Sequence, residues 1–129
     1  MDERISQLLI QIVGPENYTE NLIDLVSYSY DASEHSHRPS CGVWATTVEQ
    51  VSEILKLANR ELVPVIPRGA GTGLSGMAVP AKGGIVLDLS HMNKIVRISI
   101  DDRLAVVQPG VVYAELEKAL LAHGFFFPW

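Results

Sequence analysis

Residues 65 to 84 read Val65-Ile66-Pro67-Arg68-Gly69-Ala70-Gly71-Thr72-Gly73-Leu74-Ser75-Gly76-Met77-Ala78-Val79-Pro80-Ala81-Lys82-Gly83-Gly84, a stretch that holds six of the protein's ten glycines. Just before it, Val63-Pro64-Val65-Ile66-Pro67 is too short for a helix and twice interrupted by proline, which predicts a strand or an extended edge. Gly71-Thr72-Gly73-Leu74-Ser75-Gly76 matches G-x-G-x-x-G, the spacing of a dinucleotide-binding turn. That turn needs a strand in front of it, a helix opening inside it, and an acidic residue about twenty positions on. The strand is present and Asp88 offers the acid, but Pro80 and Gly83-Gly84 forbid a continuous helix. Without one there is no helix dipole for a diphosphate and no crossover of the required length, so the Rossmann reading fails. A Walker A loop fails too, for want of its Gly-Lys-Ser/Thr ending.

A different device remains. Glycines at the alternate positions 69, 71 and 73 let the backbone turn through φ > 0 and bring successive N–H groups to one side. Such a nest holds a diphosphate through backbone donors. The hydroxyls of Thr72 and Ser75 add side-chain donors, and Arg68 adds a positive charge at the rim. The candidate binding residues are therefore Pro67, Arg68, Gly69, Ala70, Gly71, Thr72, Gly73, Leu74, Ser75 and Gly76. From the residues alone, a plain glycine-rich surface loop stays open as the alternative.

Upstream, Ile5, Leu8, Leu9 and Ile12 lie on one face of a helix that Gly14-Pro15 stops. A second short helix is expected over residues 20–28, with Leu22, Ile23, Leu25 and Val26 buried, then a polar loop from Asp31 to Ser40. Val43-Trp44-Ala45 reads as a strand. A helix with Val48, Val51, Ile54, Leu55 and Ala58 inward follows, capped by Thr46 or Thr47 with Glu49 or Gln50 completing a capping box. Downstream, Ile85-Val86-Leu87-Asp88-Leu89 predicts a buried strand, and residues 94–100 and 103–108 predict an antiparallel hairpin turning at Asp101-Asp102. Residues 112–123 predict a helix with Leu116, Ala119 and Leu120 inward, closed by Gly124. The order is mixed α and β, without repeats or linkers.

Composition narrows the function. At 129 residues, 47% hydrophobic and 19% charged, the chain is long enough for one core and not two. A net charge of −5 without a basic cluster argues against nucleic acid. No apolar run approaches the ~18 residues of a membrane span, and Met1-Asp2-Glu3-Arg4 does not open a signal peptide, so a cytoplasmic location is expected. One cysteine, Cys41, excludes an internal disulfide and a cysteine-rich zinc site. All three phenylalanines and one of the two tryptophans stand in the last five residues, Phe125-Phe126-Phe127-Pro128-Trp129.

Read together, Val65 through Gly76, then Ala78-Val79-Pro80, Gly83-Gly84-Ile85-Val86-Leu87, Ser90 and Met92-Asn93 resemble the FAD-linked oxidases. The flanks agree: Tyr30-Asp31-Ala32-Ser33 upstream, Ala105-Val106-Val107-Gln108-Pro109-Gly110-Val111 and His123-Gly124-Phe125-Phe126-Phe127-Pro128 downstream. The likeness is greatest to the glycolate oxidase flavin subunit and the D-lactate dehydrogenases. It implies an α+β fold: the N-terminal lobe of a p-cresol methylhydroxylase (vanillyl-alcohol oxidase) type FAD-binding domain, a small mixed sheet flanked by helices. It implies that residues 67–76 wrap the FAD diphosphate through backbone amides, with Pro109, Gly110 and Val111 close to the cofactor. It also implies a lead-in over 1–38 and the first part of the FAD domain over 39–129. Family members add a cap domain that takes a 2-hydroxy acid, and the flavin then carries the redox chemistry. Two departures stand out: Met77, a bulky residue expected to crowd the loop, and an unusual first strand at Gly42-Val43-Trp44-Ala45.

The resemblance also implies that the family continues past Pro128 with a further flavin-contacting segment and the cap, so no catalytic residue is assigned and the chain alone is not expected to turn over substrate. Two other classes compete: a non-catalytic nucleotide-binding module completed by a partner chain, and a truncated product without ligand. Self-association through Phe125 to Trp129 is a further expectation. No metal site is assigned, since His35 and His37 lack a third ligand nearby and read as solvated. Ser90-His91 is no triad, His123 suits a helix C-terminus, Glu115 and Glu117 read as a solvated helix face, and Cys41 as a buried inert thiol.

Overall fold

The computed structural model describes residues 1–128. The first helix, α1 (Glu3–Val13), starts where the Asp2 carboxylate accepts from the amides of Arg4 and Ile5, and ends at Gly14, whose φ of 88° a side chain would resist. It buries Ile5, Leu9 and Val13. A two-residue strand, β1 (Tyr18–Thr19), follows, then α2 (Leu22–Ser27), β2 (Cys41–Trp44), α3 (Val48–Glu61), β3 (Val65–Arg68) and β4 (Ile85–Asp88). The capping pair is as the sequence predicts: the Thr47 hydroxyl accepts from the Gln50 amide, while the Gln50 side chain accepts from the Thr46 amide.

The sheet order is β1-β2-β4-β3, with β2, β4 and β3 parallel and β1 antiparallel at the edge. The expected mixed sheet is therefore present, and its central strand β4 is buried along its whole length, the pattern of a strand with neighbours on both sides and layers above and below. Cys41, Val43, Ala45, Ile85 and Leu87 face a core completed by Leu9, Ile54, Leu57 and Ala58 from α1 and α3. The parallel register sets Trp44 beside Asp88 and Asp88 beside Arg68, so these three form a row on the opposite face, at the strands' C-terminal ends. Tyr28 covers that row. Its hydroxyl donates to Asp88 at 2.7 Å, its ring lies 5.6 Å from the Arg68 guanidinium carbon, and its centroid is 6.1 Å from that of Trp44. A Cβ at residue 42 would come within 2.6 Å of the Tyr28 ring, which is why the unusual first strand carries Gly42 there.

The C-terminal part is a hairpin of β5 (Ile95–Ser99) and β6 (Leu104–Val107), followed by α4 (Tyr113–Leu121), whose Leu116 and Leu120 are buried. Gly124, at φ 76°, lets the chain leave α4 with the Phe125 amide bonded to Leu120 O at 3.2 Å. The tail then runs beside α4, where Tyr113 donates to Phe127 O at 2.9 Å and the Phe127 amide donates to Glu117.

Four expectations change. A crossover does join β3 and β4, which are parallel, and residues 69–84 form it without a helix. Leu22, Ile23 and Val26 are exposed, leaving Leu25 as the buried residue of α2. In α3, Val48 and Leu55 turn outward and Leu57 inward. Strand β1 was invisible as a two-residue edge, and β3 starts at Val65, after the first of the prolines.

Helices α1 and α3 are also joined by charge. Arg4 makes a two-pronged ion pair with Glu61, and Arg60 Nε approaches the same carboxylate at 3.0 Å. Hydrogen bonds from Arg4 and then Arg60 hold the Glu61 carboxyl down at about 2. A carboxyl depressed in the folded state stabilises it above the ordinary carboxylate range, and that contribution disappears as pH falls toward the folded value. The stability gap between this protein and Glu61→Gln is therefore expected to close as pH falls from above 4.5 to about 2, read by denaturant unfolding across that series.

Candidate cofactor-binding site

The crossover from β3 to β4 shapes a cleft of about 360 Å³ lined by Pro67, Arg68, Gly69, Ala70, Gly71, Thr72, Gly73, Ser75, Met77 and Ala78, with Asp31 opposite. The hydrogen bonding of this loop is one-sided. Among the described residues, no backbone N–H from Gly69 through Met77 donates to a protein acceptor, and the Thr72 and Ser75 hydroxyls also have no protein partner. Backbone donors in folded proteins are almost always paired with protein or water, so an unbroken run of them on one loop is a ready set of anion ligands.

The glycines divide into two kinds. Gly71 and Gly76 have φ of 70° and 72°, the left-handed region, as the turn argument expects. Gly69 and Gly73 do not, and a Cβ at either would meet nothing within 4 Å. Neither a left-handed φ nor close packing accounts for these two glycines, and the space over them is open. Leu74, 80% exposed, does not line the cleft, whereas Met77, 84% exposed, does.

Arg68 differs from its expected place at the rim. It is 9% exposed and lies under the loop, with Nη1 donating to Tyr30 O at 2.9 Å and Nη2 to Ser27 O at 3.3 Å. Alternation along β3 explains this: Arg68 ends the strand on the face that Tyr28 covers. Asp31, also buried, accepts from the Ser33 amide at 2.8 Å and the Ala78 amide at 3.4 Å, and the Ser33 hydroxyl and amide hold its carboxyl below the usual range. The Ala32 amide donates to Gly73 O at 3.0 Å.

A family described as the FAD binding domain matches residues 39–129 of this chain. The chain belongs to that family. It is 36% identical over 125 residues to the glycolate oxidase subunit GlcD of Bacillus subtilis, an alignment that takes in 96% of this chain and 27% of that protein. It is 38% identical over 121 residues to a mitochondrial D-lactate dehydrogenase [cytochrome] of Kluyveromyces lactis, covering 88% of this chain and 21% of the other. Among solved structures, p-cresol methylhydroxylase with substrate bound superposes with a TM-score of 0.83 at 30% identity, over 94% of this chain and 24% of that one. The chain thus spans about a quarter of the length of these relatives. It is the N-terminal lobe of a p-cresol methylhydroxylase type FAD-binding domain, and its cofactor is FAD.

The FAD binding domain has what a dinucleotide diphosphate requires: free amides in sequence, two hydroxyls, open space where side chains are missing, and a buried cation behind them. Pro109, Gly110 and Val111 are not part of this cleft. Gly110 packs on the turn after β4, its amide donating to Met92 O at 2.8 Å, and it lines a separate cleft with Ser90, Asn93, Ile95, Val112 and Glu115. A Cβ on Gly110 would lie 2.2 Å from Leu89 O, so close backbone approach accounts for this glycine.

Other polar residues of the FAD binding domain have structural surroundings. The Cys41 thiol is fully buried, and burial pushes it up to about 12, which makes it inert at neutral pH. His91 stacks on Trp44, with ring centroids 6.2 Å apart. His35 and His37 are exposed, and among the described residues no cluster of His, Cys, Asp and Glu could hold a metal. No helix among them is long and apolar enough to cross a membrane. The residues alone do not reveal Asp31 and Ala32 as partners of the loop; their one signal is the Tyr30-Asp31-Ala32-Ser33 flank, which shows in the sequence as polar loop.

Proposed function

We propose that this chain holds the diphosphate of FAD in a flavin-dependent oxidoreductase acting on a 2-hydroxy acid of the glycolate or D-lactate type. The observation that carries the first half is the run of unpartnered amides from Gly69 through Met77 over the open faces of Gly69 and Gly73. The named activities of the glycolate oxidase and D-lactate dehydrogenase relatives support the second half. Bound FAD supplies the two-electron redox chemistry. The chain's own part is binding and orientation: amides 69–77 and the hydroxyls of Thr72 and Ser75 donate to the diphosphate oxygens. The cleft's polar side chains are Asp31, whose carboxylate accepts from backbone donors, Arg68, and the Thr72 and Ser75 hydroxyls, which have no neighbouring base among the lining residues apart from Asp31, and no catalytic residue is assigned to this lobe.

In this reading residues 39–129 are the first part of the FAD domain and residues 1–38 its lead-in, in a cytoplasmic protein, for which the single unpaired, buried thiol fits a reducing compartment. Titrating the purified chain with FAD, followed by flavin fluorescence, is expected to show saturable binding that ADP, which shares the diphosphate, competes away. Absence of binding up to millimolar FAD overturns the proposal.

A second reading is favoured by one surface. Beside the hairpin and α4 lies an apolar cavity of about 620 Å³ walled by Leu104, Val107, Leu116, Leu120 and Phe125 to Pro128, with Phe126 69% exposed. A module that completes its site with a partner chain, or with a second copy, would use such a face. Trp129, expected to join it, lies outside the described residues. FAD binding that rises with protein concentration, alongside a change in sedimentation, would favour this second reading.

A further inference from the structure

Among the described residues, every hydrogen bond that reaches residues 69–78 from elsewhere in the protein comes from one short segment. The Ala32 amide holds Gly73 O at 3.0 Å, and Asp31 holds the Ala78 amide at 3.4 Å while bonding the Ser33 amide. Arg68, in turn, fixes the segment itself by gripping Ser27 O and Tyr30 O. The guanidinium also sets the loop directly: a Cβ on Gly71 would stand 2.1 Å from Nη2, so the glycine's backbone lies against it. On the far side of the turn, a Cβ on Gly76 would stand 2.9 Å from His35 Cδ2. Segment 27–35 is a template on which residues 71–78 are laid.

The charges of the two buried residues have different outlets. Asp31 accepts from the Ser33 and Ala78 amides, whereas Arg68 forms no salt bridge among the described residues: its hydrogen bonds go to two carbonyls, with the Tyr28 ring 5.6 Å from its guanidinium carbon. A buried cation so placed, beneath a loop whose amides have no protein acceptor among the described residues, favours negative charge beside that loop without touching it. Nearly all of the template precedes residue 39, where the family match begins.

We infer that Arg68 and Asp31 are positioning residues for the FAD diphosphate: with the 27–35 segment they hold the amides of 69–77 in binding order, and neither makes contact with the phosphates. The inference rests on the FAD reading of the cleft. A loop already ordered spends none of the binding energy on ordering itself, so loss of the template weakens affinity rather than removing a donor.

The test uses the full chain, with FAD titrated by calorimetry at a temperature where circular dichroism shows each variant folded. Arg68→Met and Asp31→Ala are expected to weaken FAD at least tenfold. Asp31→Asn, whose amide oxygen still accepts from one of the two backbone N–H groups, is expected to stay within about threefold of the parent. Digestion of the free proteins by a protease of broad specificity supplies a local readout. Arg68→Met and Asp31→Ala are expected to be cut between residues 69 and 78 faster than the parent, with saturating FAD restoring protection. If the parent binds FAD and both variants bind it equally well, the inference is wrong and the reading of the cleft stands. Equal cutting of that loop in parent and variants also overturns it. If the parent itself does not bind FAD, the reading of the cleft has failed instead.

Discussion

Gly71→Val is expected to abolish measurable FAD binding, a loss of at least a hundredfold in titration. Two penalties coincide at this position. The backbone sits at φ 70°, where a β-branched residue is strained by about 1–3 kcal/mol or more. The added Cβ would also fall 2.1 Å from Arg68 Nη2 and 2.4 Å from its Cζ. The guanidinium cannot step aside without releasing Ser27 O and Tyr30 O, so either the loop or the segment beneath it moves. Gly73→Ala is the control. It has open space for its Cβ and no left-handed φ, so thermal stability should hardly change while FAD affinity falls, because the methyl group enters the volume reserved for ligand. Unchanged FAD affinity in both variants would show that this loop is not the cradle.

Gly110→Ala should act on stability instead. Its Cβ would meet Leu89 O at 2.2 Å, Met92 O at 2.9 Å and Ser90 Cα at 2.9 Å, all backbone, none able to rotate away. Overpacking against backbone costs about 1–3 kcal/mol and occasionally more, and a domain of this size loses several degrees of Tm for each kcal/mol. A fall in Tm of roughly 10 °C is expected by scanning calorimetry. A normal Tm with weakened FAD binding would instead support the expected place of Pro109-Gly110-Val111 close to the cofactor.

Much of the architecture could be read from periodicity because the relevant residues lie near one another along the chain. The stripe of α1, the capping pair of α3, the hairpin and the apolar run of β4 are all local patterns. The failures are non-local. That residues 69–84 connect parallel strands depends on β4 entering between β2 and β3, which no local pattern encodes. Arg68 looked like a rim cation because charged residues are rarely buried; the carbonyls that accept from it stand about forty residues away. The apolar residues of the short α2 predict a buried side, yet its Leu22, Ile23 and Val26 are exposed. The spacing of the glycine loop predicts a candidate site without separating its glycines into two kinds: left-handed φ at Gly71 and Gly76, open space at Gly69 and Gly73.

The crossover without a helix has a thermodynamic consequence. Closing a loop of this length carries an entropy penalty that grows only slowly, by about 0.6 kcal/mol per doubling. Here that penalty is met when β3 and β4 pair, so the ends of the loop are already fixed before any ligand arrives. Pairing of the sheet fixes the ends of the loop, and contacts to segment 27–35 order the residues between them. A residue inserted between Gly69 and Gly76 should therefore leave the β3–β4 pairing almost as stable as before while scrambling the order in which the amides face the cleft.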